Sequence, residues 1–464
     1  MAKQKEVQPV TGFQGLMNNS WRKNLFAEIN GASLVFFRML FGLIMLVEVY
    51  RYFDHGWIAR YWIKPEWNFT YFPFDWLHPF PGNGMYFFFA FMGLVSICIA
   101  LGAFYRIASV LFFLGFGYIF LLEQTTYLNH FYLIVLLAFI LIFLPLNRRN
   151  SIDVILFPKL KKKPILNYHL WLLRFMITIP YFFGGVAKIN PDWLTGHPLD
   201  AWLSDDTSLP LIGQFLDDRW MVLFISYSGL LLDLLILPFL LIRKTRLPAF
   251  ILITIFHICN SIWFSIGVFP WLMIVATLIF FPPTWPKDAM FKLGMIRVNF
   301  KPIVPKSPET ISSKQQRTLS LLTAWFLLMS LLPMRHLLYP GNVSWTEEGH
   351  RFAWHMKLRS KRGKGYFVLR DKNTGIRFKV NSGDYLSSRQ QRKMITRPYL
   401  IWQFAQKIKA KFDAEKTGDF EVFAFIQARL NGRDYQQLID PSVDLTGVGR
   451  PVFNHSTWIV PFND

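Results

Sequence analysis

Five side chains in the apolar part of this sequence are of types that do chemistry. They are Asn129 and His130 in TTYLNHFYL, Lys188 in YFFGGVAKINPDW, and His257 and Asn260 in FHICNSIWFSIGVFP, where Ser265 follows. An amine among apolar groups has its charged form disfavoured, which makes Lys188 a candidate general base. The aromatic residues around it could hold a flat apolar ligand, so the chemistry suggested is proton abstraction from a lipophilic substrate. Taken singly, each residue has a plainer reading: an interfacial lysine snorkels to the headgroups, and a lone histidine is a satisfied polar group. Together they converge on one leaflet, and the functional reading gains. Arg38, Arg174 and Asp233 also lie within apolar runs, in the inner halves of their spans; an ion-paired structural cluster is expected of them. No GxSxG elbow, Walker loop or HExxH occurs, and the spacing of the histidines suggests no metal site.

The elements that must position these residues are membrane spans. Hydrophobic residues make up 53% of the chain and charged ones only 17%, against about 25% charge in soluble domains. Apolar runs fall near 33–52, 85–104, 107–122, 130–146, 168–187, 220–242, 248–265, 267–282 and 318–338. Each approaches the roughly 17–25 residues a bilayer requires, giving about nine spans. Gly267 and Pro270 sit where a tight turn would separate the seventh and eighth, though one long kinked segment would also accommodate them.

The net charge of +21 would suggest nucleic-acid binding in a soluble protein, but the cations lie in loops between apolar runs, so no nucleic-acid partner is expected. The 4–5 loop carries Arg148, Arg149, Lys159, Lys161, Lys162 and Lys163 against Asp153, and the 6–7 loop Arg243, Lys244 and Arg246. The 5–6 loop instead carries Asp192, Asp200, Asp205, Asp206, Asp217 and Asp218. With nine spans every basic loop lies on one side, which the positive-inside rule makes cytoplasmic. The expected organisation is a cytoplasmic segment over 1–32, a transmembrane domain over 33–338 and an extracytoplasmic mixed α/β domain over 339–464. The first thirty residues are polar, so the first span is expected to serve as the insertion signal. Cys98 and Cys259 both lie in apolar runs, which argues against a disulfide framework or a thiolate metal site.

In the outer segment, Arg351–Arg359 and Gly365–Arg370 are expected to pair as strands. Asp371–Gly375 reads as a turn before a strand at Ile376–Val380. Ile395, Tyr399, Ile401, Phe404 and Ile408 recur at helical spacing across 389–411, and Glu421–Leu430 reads as a further strand.

At these same segments the sequence resembles the vitamin K-dependent γ-glutamyl carboxylase family, including bacterial members with the shared HTTM transmembrane domain. The resemblance rests on FFRMLFG, YRIASVLFFL, TTYLNHFYL, GGVAKINPDW, LLLDLL, FHICNSIWFSIGVFPW and FPPTWP, then on WTEEGHRFAWHMK and YQQLIDPSVDL, in order over about residues 30–460. It implies oxidation of vitamin K hydroquinone (reduced phylloquinone or menaquinone) by O2 to the epoxide. That oxidation drives removal of a γ-proton from a peptidyl glutamate, and CO2 adds to the carbanion. The family's essential lysine corresponds to Lys188 and its important histidine to His130. Asn129 is implied as an orienting group, with Asn129, His257 and Asn260 toward the cofactor. Trp354, His355 and Met356 lie in the family's aromatic–Trp–x–Met stretch and are implied to meet the glutamyl peptide. No metal is implied; the partners are a glutamate-containing peptide or protein and membrane lipid. The location implied is a bacterial inner membrane with the C-terminal domain outside the cytoplasm, or the endoplasmic reticulum with that domain lumenal. Animal members pair two lysines where this chain has Ala187–Lys188, have a SWDMM-type stretch where it reads AWHMK, and carry Tyr where it has His350.

Two other functions fit the same residues. A quinol-oxidising enzyme would form epoxide without carboxylating glutamate. A transporter or lipid-binding scaffold would show no oxygen uptake and no dependence on Lys188.

Overall fold

Each of the nine apolar runs forms a helix in a computed structural model of the chain, which describes residues 20–203, 213–264, 266–295, 307–416 and 418–463. Most of the 1–32 segment, Asp205, Asp206 and Ser265 lie outside the described residues. The helices are α1 (Ala32–Asp54), α2 (Gly84–Leu101), α3 (Tyr105–Leu122), α4 (Asn129–Phe143), α5 (Asn167–Ala187), α6 (Arg219–Leu241), α7 (Arg246–Phe264), α8 (Phe269–Thr277) and α9 (Ser313–Leu331). Seven are long and apolar enough to cross a bilayer, α9 with the 3-10 turn that extends it to Leu338. An eighth span would combine Phe269–Phe280 with Trp285–Lys292, which diverge by 95°.

The remaining helix, α4, has 15 residues and rises only about 22 Å. It buries residues on every side, and Phe352 and Trp354 of the outer segment roof Tyr132 in its first turn. A helix enclosed by protein has no need of full bilayer length. The other helices turn large apolar side chains outward, Phe87 being 74% exposed and Ile107 62%. Hydrocarbon is the solvent in which such surfaces are stable. Helices α7 and α8 are separate and pack on each other, with Gly267 at φ +66 in the turn between them.

The helix ends sort onto two sides. Ile29 N–H donates to the Ile165 carbonyl, bringing the start of α1 to the start of α5, and Ser33 N–H donates to Pro283. Arg38 donates to the carbonyls of Leu146 (3.1 Å), Ala100 (3.3 Å) and Asn150 (2.8 Å), so the ends of α2 and α4 lie there too. Arg174 similarly donates to Ile279, Phe280 and Phe281. These bonds correct the expected ion-paired cluster: neither arginine meets Asp233. Each is held by backbone carbonyls left free where helices end.

At the opposite side sits an antiparallel sheet of order β2-β1-β3-β4, with β1 Lys361–Asp371, β2 Arg377–Val380, β3 Phe420–Leu430 and β4 Gln436–Gln437. Strict alternation in β3 buries Val422, Ala424, Ile426, Ala428 and Leu430. They face the core that α11 (Pro398–Lys416) lines with Leu400, Ile401, Phe404, Ala405 and Ile408. Before it, α10 (Ser388–Met394) begins at a Ser387–Gln390 capping box, and Pro398 opens α11, so the 389–411 pattern is divided in two. The strand expected over Arg351–Arg359 does not form. Phe352, Trp354 and Lys357 adopt φ of 66, 60 and 54, whereas a strand requires φ near −120 to −140°.

Sheet domain and helices are joined around Glu123, just after α3. This buried carboxylate accepts from Asn68 (3.0 Å), Thr125 N–H (2.9 Å), Phe69 N–H (3.3 Å) and Gln390 of α10 (3.0 Å). Burial pushes its pKa up, against the pull of those donors. Glu123→Ala would leave the donors unpaired at about 1–3 kcal/mol each for those that find no water. The expected result is a lower apparent Tm and faster proteolysis between sheet and helices, read on detergent-purified protein.

Candidate functional site

Lys188 caps the C-terminus of α5 and turns its side chain back into the protein. Only 7% of it is exposed; its Nζ pairs with the carboxylate of Asp233 on α6, which is 3% exposed. The Trp193 ring lies 5.3 Å from Nζ and is fixed by Nε1–H donation to the Ser226 carbonyl at 3.0 Å. The lysine therefore does not snorkel, and its surroundings are not purely apolar: an opposite charge stands beside it. Gly184 and Gly185 allow this approach. A Cβ on Gly185 would lie 2.7 Å from Leu234, and one on Gly184 would lie 2.9 Å from Met356 Cε and 3.4 Å from Asp233 Oδ2. Met356 thus reaches from the outer segment to Gly184, where the Trp354 carbonyl also lies near.

One turn back along α5, Tyr181 shares the face of Gly184, Gly185 and Lys188. Its hydroxyl lies 2.6 Å from Nε2 of His257, a buried histidine whose Nδ1 has no hydrogen-bond partner among the described residues. His257 meets the Phe269 ring edge-on at 5.9 Å, and His130 stacks on that ring at 5.3 Å. Phe269 therefore sits between the two histidines. Asn260 shares a helix face with His257 and is half-buried, with no side-chain hydrogen bond among the described residues.

Asn129 is engaged at both ends of its amide. Its Nδ2 donates to the His355 carbonyl (3.1 Å), and its Oδ1 accepts from the Tyr127 hydroxyl (2.9 Å), which also accepts from Phe352 N–H (2.9 Å). Asn129 thus holds the 352–355 segment and makes no bond to His130. The Trp354 ring packs on Tyr132 at 5.0 Å. The His355 ring turns away toward His336 (4.7 Å) and His350 (5.2 Å), and its buried Nε2 has no partner among the described residues. Those rings pack on one another; among the described residues, no group of three or more His, Cys, Asp or Glu could hold a metal ion.

Burial, then the charges of His336 and Arg359, depress the His355 pKa to about 3; His350 is likewise driven well below its usual value. Both are neutral in the fold, whereas an unfolded histidine titrates near pH 6.5. Below that pH the unfolded state binds more protons, so stability is whole above about pH 6.5 and falls as the pH drops below it, by up to about 1.4 kcal/mol per pH unit for each group. The expected result is a lower apparent Tm at pH 5 than at pH 7.5. The difference should shrink in a His350→Gln, His355→Gln double variant.

Asp233 as the partner of Lys188 was not evident from the sequence, nor was Trp193. The available signal was charge balance: a carboxylate in LLLDLL must find a cation, and Lys188 closes the preceding span. Glu48 and Arg51, an ion pair on α1, were also missed; Gly267 packs against the Arg51 guanidinium.

A family model for the HTTM domain matches residues 26–285. A second, for the lumenal domain of vitamin K-dependent gamma-carboxylase, matches residues 314–464 and so includes α9. No solved structure matches the chain.

Proposed function

The chain belongs to the vitamin K-dependent γ-glutamyl carboxylase family, and we propose that it carboxylates peptidyl glutamate at the expense of a reduced naphthoquinone, with O2 and CO2 as co-substrates. The observation that carries this reading is Lys188. It is buried against Asp233 beneath Trp193, and both Asp233 and Met356 of the outer segment lie against Gly184 one turn before it.

The residues present suit a hydroxylated aromatic ring. Phe269, flanked by His130 and His257, offers a flat apolar wall, and the orphaned Nδ1 of His257 offers a polar contact. When bound, the quinol supplies by its oxidation a base strong enough for a glutamate γ-C–H, which no side chain could deprotonate. The chain's own contributions are binding, orientation and one proton transfer. Lys188 Nζ accepts a proton in its neutral form, and Asp233 orients it and balances the charge that results. His130 and His257 hold the ring. Asn129 fixes the 352–355 segment, so that Trp354 and Met356 stand where a glutamyl side chain would descend. His355 acts through this segment, its ring braced against His336 and His350. Asn260, on the His257 face, is assigned to the quinone side. The basic loops support a cytoplasmic location for the opposite side, and with it a sheet domain outside the cytoplasm or in a lumen.

The test is to incubate purified protein with reduced vitamin K, labelled bicarbonate and a short glutamate peptide, reading epoxide and labelled peptide separately. Both products are expected, and epoxide without label on any peptide would reduce the reading to quinol oxidation.

A further inference from the structure

The outward face of the sheet is unlike an ordinary solvated surface. At exposed or half-exposed positions it carries Arg362, Lys364 and Arg370 on β1, Arg377 and Lys379 on β2, and Arg429 on β3. Against these cations, the three strands place one carboxylate on that face, Glu421, and Arg370 already binds it (Nε to Oε2 2.6 Å). The register sets Arg362 directly opposite Arg429, and Arg370 opposite Arg377. Like charges facing each other across strands destabilise a sheet unless an anion lies between them.

Between the cations runs an aromatic ladder. Tyr366 and Phe425, 38% and 37% exposed, stack at 5.2 Å and 9°. Lys379 lies over Tyr366 and Lys364 over Tyr435, each at 4.3 Å, and Arg370 lies over Phe423 at 5.2 Å. Side chains resting on rings lose less freedom on binding than extended ones.

The face also has a direction. Ser360 N–H, one residue before β1, donates to Asn431 Oδ1 (2.7 Å), and Asn431 Nδ2 donates to Asp192 (2.6 Å), the neighbour of Trp193. The Arg362–Arg429 end of the sheet therefore adjoins the rim above Lys188.

We propose that the exposed face of β1–β3 is a docking surface for an acidic polypeptide, which it delivers extended along the strands toward the Lys188 site. The inference rests on the proposed carboxylation for the identity of that polypeptide as substrate. An eleven-residue strand offers about 36 Å of track.

The test uses the full chain in detergent and a fluorescein-labelled peptide of about 20 residues, Glu alternating with Gly, long enough to cover the track at roughly 3.3 Å per residue. Fluorescence anisotropy should show binding that weakens steeply with added salt. An Arg362→Glu, Lys364→Glu, Lys379→Glu variant should bind at least about tenfold more weakly, a loss of about 1.4 kcal/mol. Thermal unfolding and quinol oxidation by the same preparation verify that the fold and the membrane site are intact. Equal binding by the variant would overturn the docking surface. Tighter binding of a single-stranded oligonucleotide of matched charge would overturn its assignment to polypeptide. Absence of carboxylation by the unsubstituted protein would sink the proposed function instead, and the anisotropy result would still decide the surface.

Discussion

Lys188→Ala is expected to lower quinone epoxide formation by about 10²- to 10⁴-fold, the range for removing a general base, and carboxylation should fall with it. The alanine variant also leaves Asp233 without its cation, so on its own it does not separate chemistry from folding. Lys188→Arg does separate them. A guanidinium can still pair with Asp233, but it does not give up its proton near neutral pH. If the lysine only neutralises a buried carboxylate, the arginine variant should keep much of its activity. As a base, Lys188 cannot be replaced this way, and the arginine variant should be about as inactive as the alanine one. Oxygen uptake with reduced vitamin K, alongside epoxide analysis, measures both. Activity above about a tenth of the unsubstituted level in Lys188→Arg would refute the base assignment.

The second large effect is expected at Asp233. Asp233→Asn preserves size and one hydrogen bond but removes the charge opposite Lys188. Removing one partner of a buried pair costs roughly 3–5 kcal/mol when the other must stay charged. The variant should therefore fold with a lower apparent Tm. The maximal rate should drop about tenfold or more, equivalent to at least 1.36 kcal/mol of lost transition-state stabilisation, because asparagine cannot balance the charge that develops on Nζ. A rate per folded molecule equal to the parent's, with only reduced yield of folded protein, would make Asp233 a structural counter-ion and nothing more.

Sequence patterning worked where the physics is local. Bilayer-length apolar runs became helices because every backbone group in hydrocarbon must be bonded within its own segment. Strand β3 followed from alternation, and the turn at Asp371–Gly375 from its residue types. The segment 351–359 misled because its composition suits a strand, while its conformation is set by distant partners. Phe352 and Trp354 are drawn onto Tyr132, and Asn129 holds the His355 carbonyl, so several residues adopt left-handed backbone that alternation cannot register. Asp233 misled for a related reason. Its depth along a span suggested arginine partners, but Lys188 folds back from the helix end to meet it.

By itself, then, the sequence determined that this is a helical membrane protein carrying a sheet domain, and which of its side chains were worth suspecting. Those conclusions rest on hydrophobicity, period and loop charge, all properties of contiguous residues. Only the tertiary structure decided which suspects meet. Lys188 pairs with Asp233 across two helices, His257 with Tyr181, and Asn129 serves the junction and makes no bond to His130. Such pairings depend on helix packing and close approach at Gly184 and Gly185, which a one-dimensional pattern does not encode.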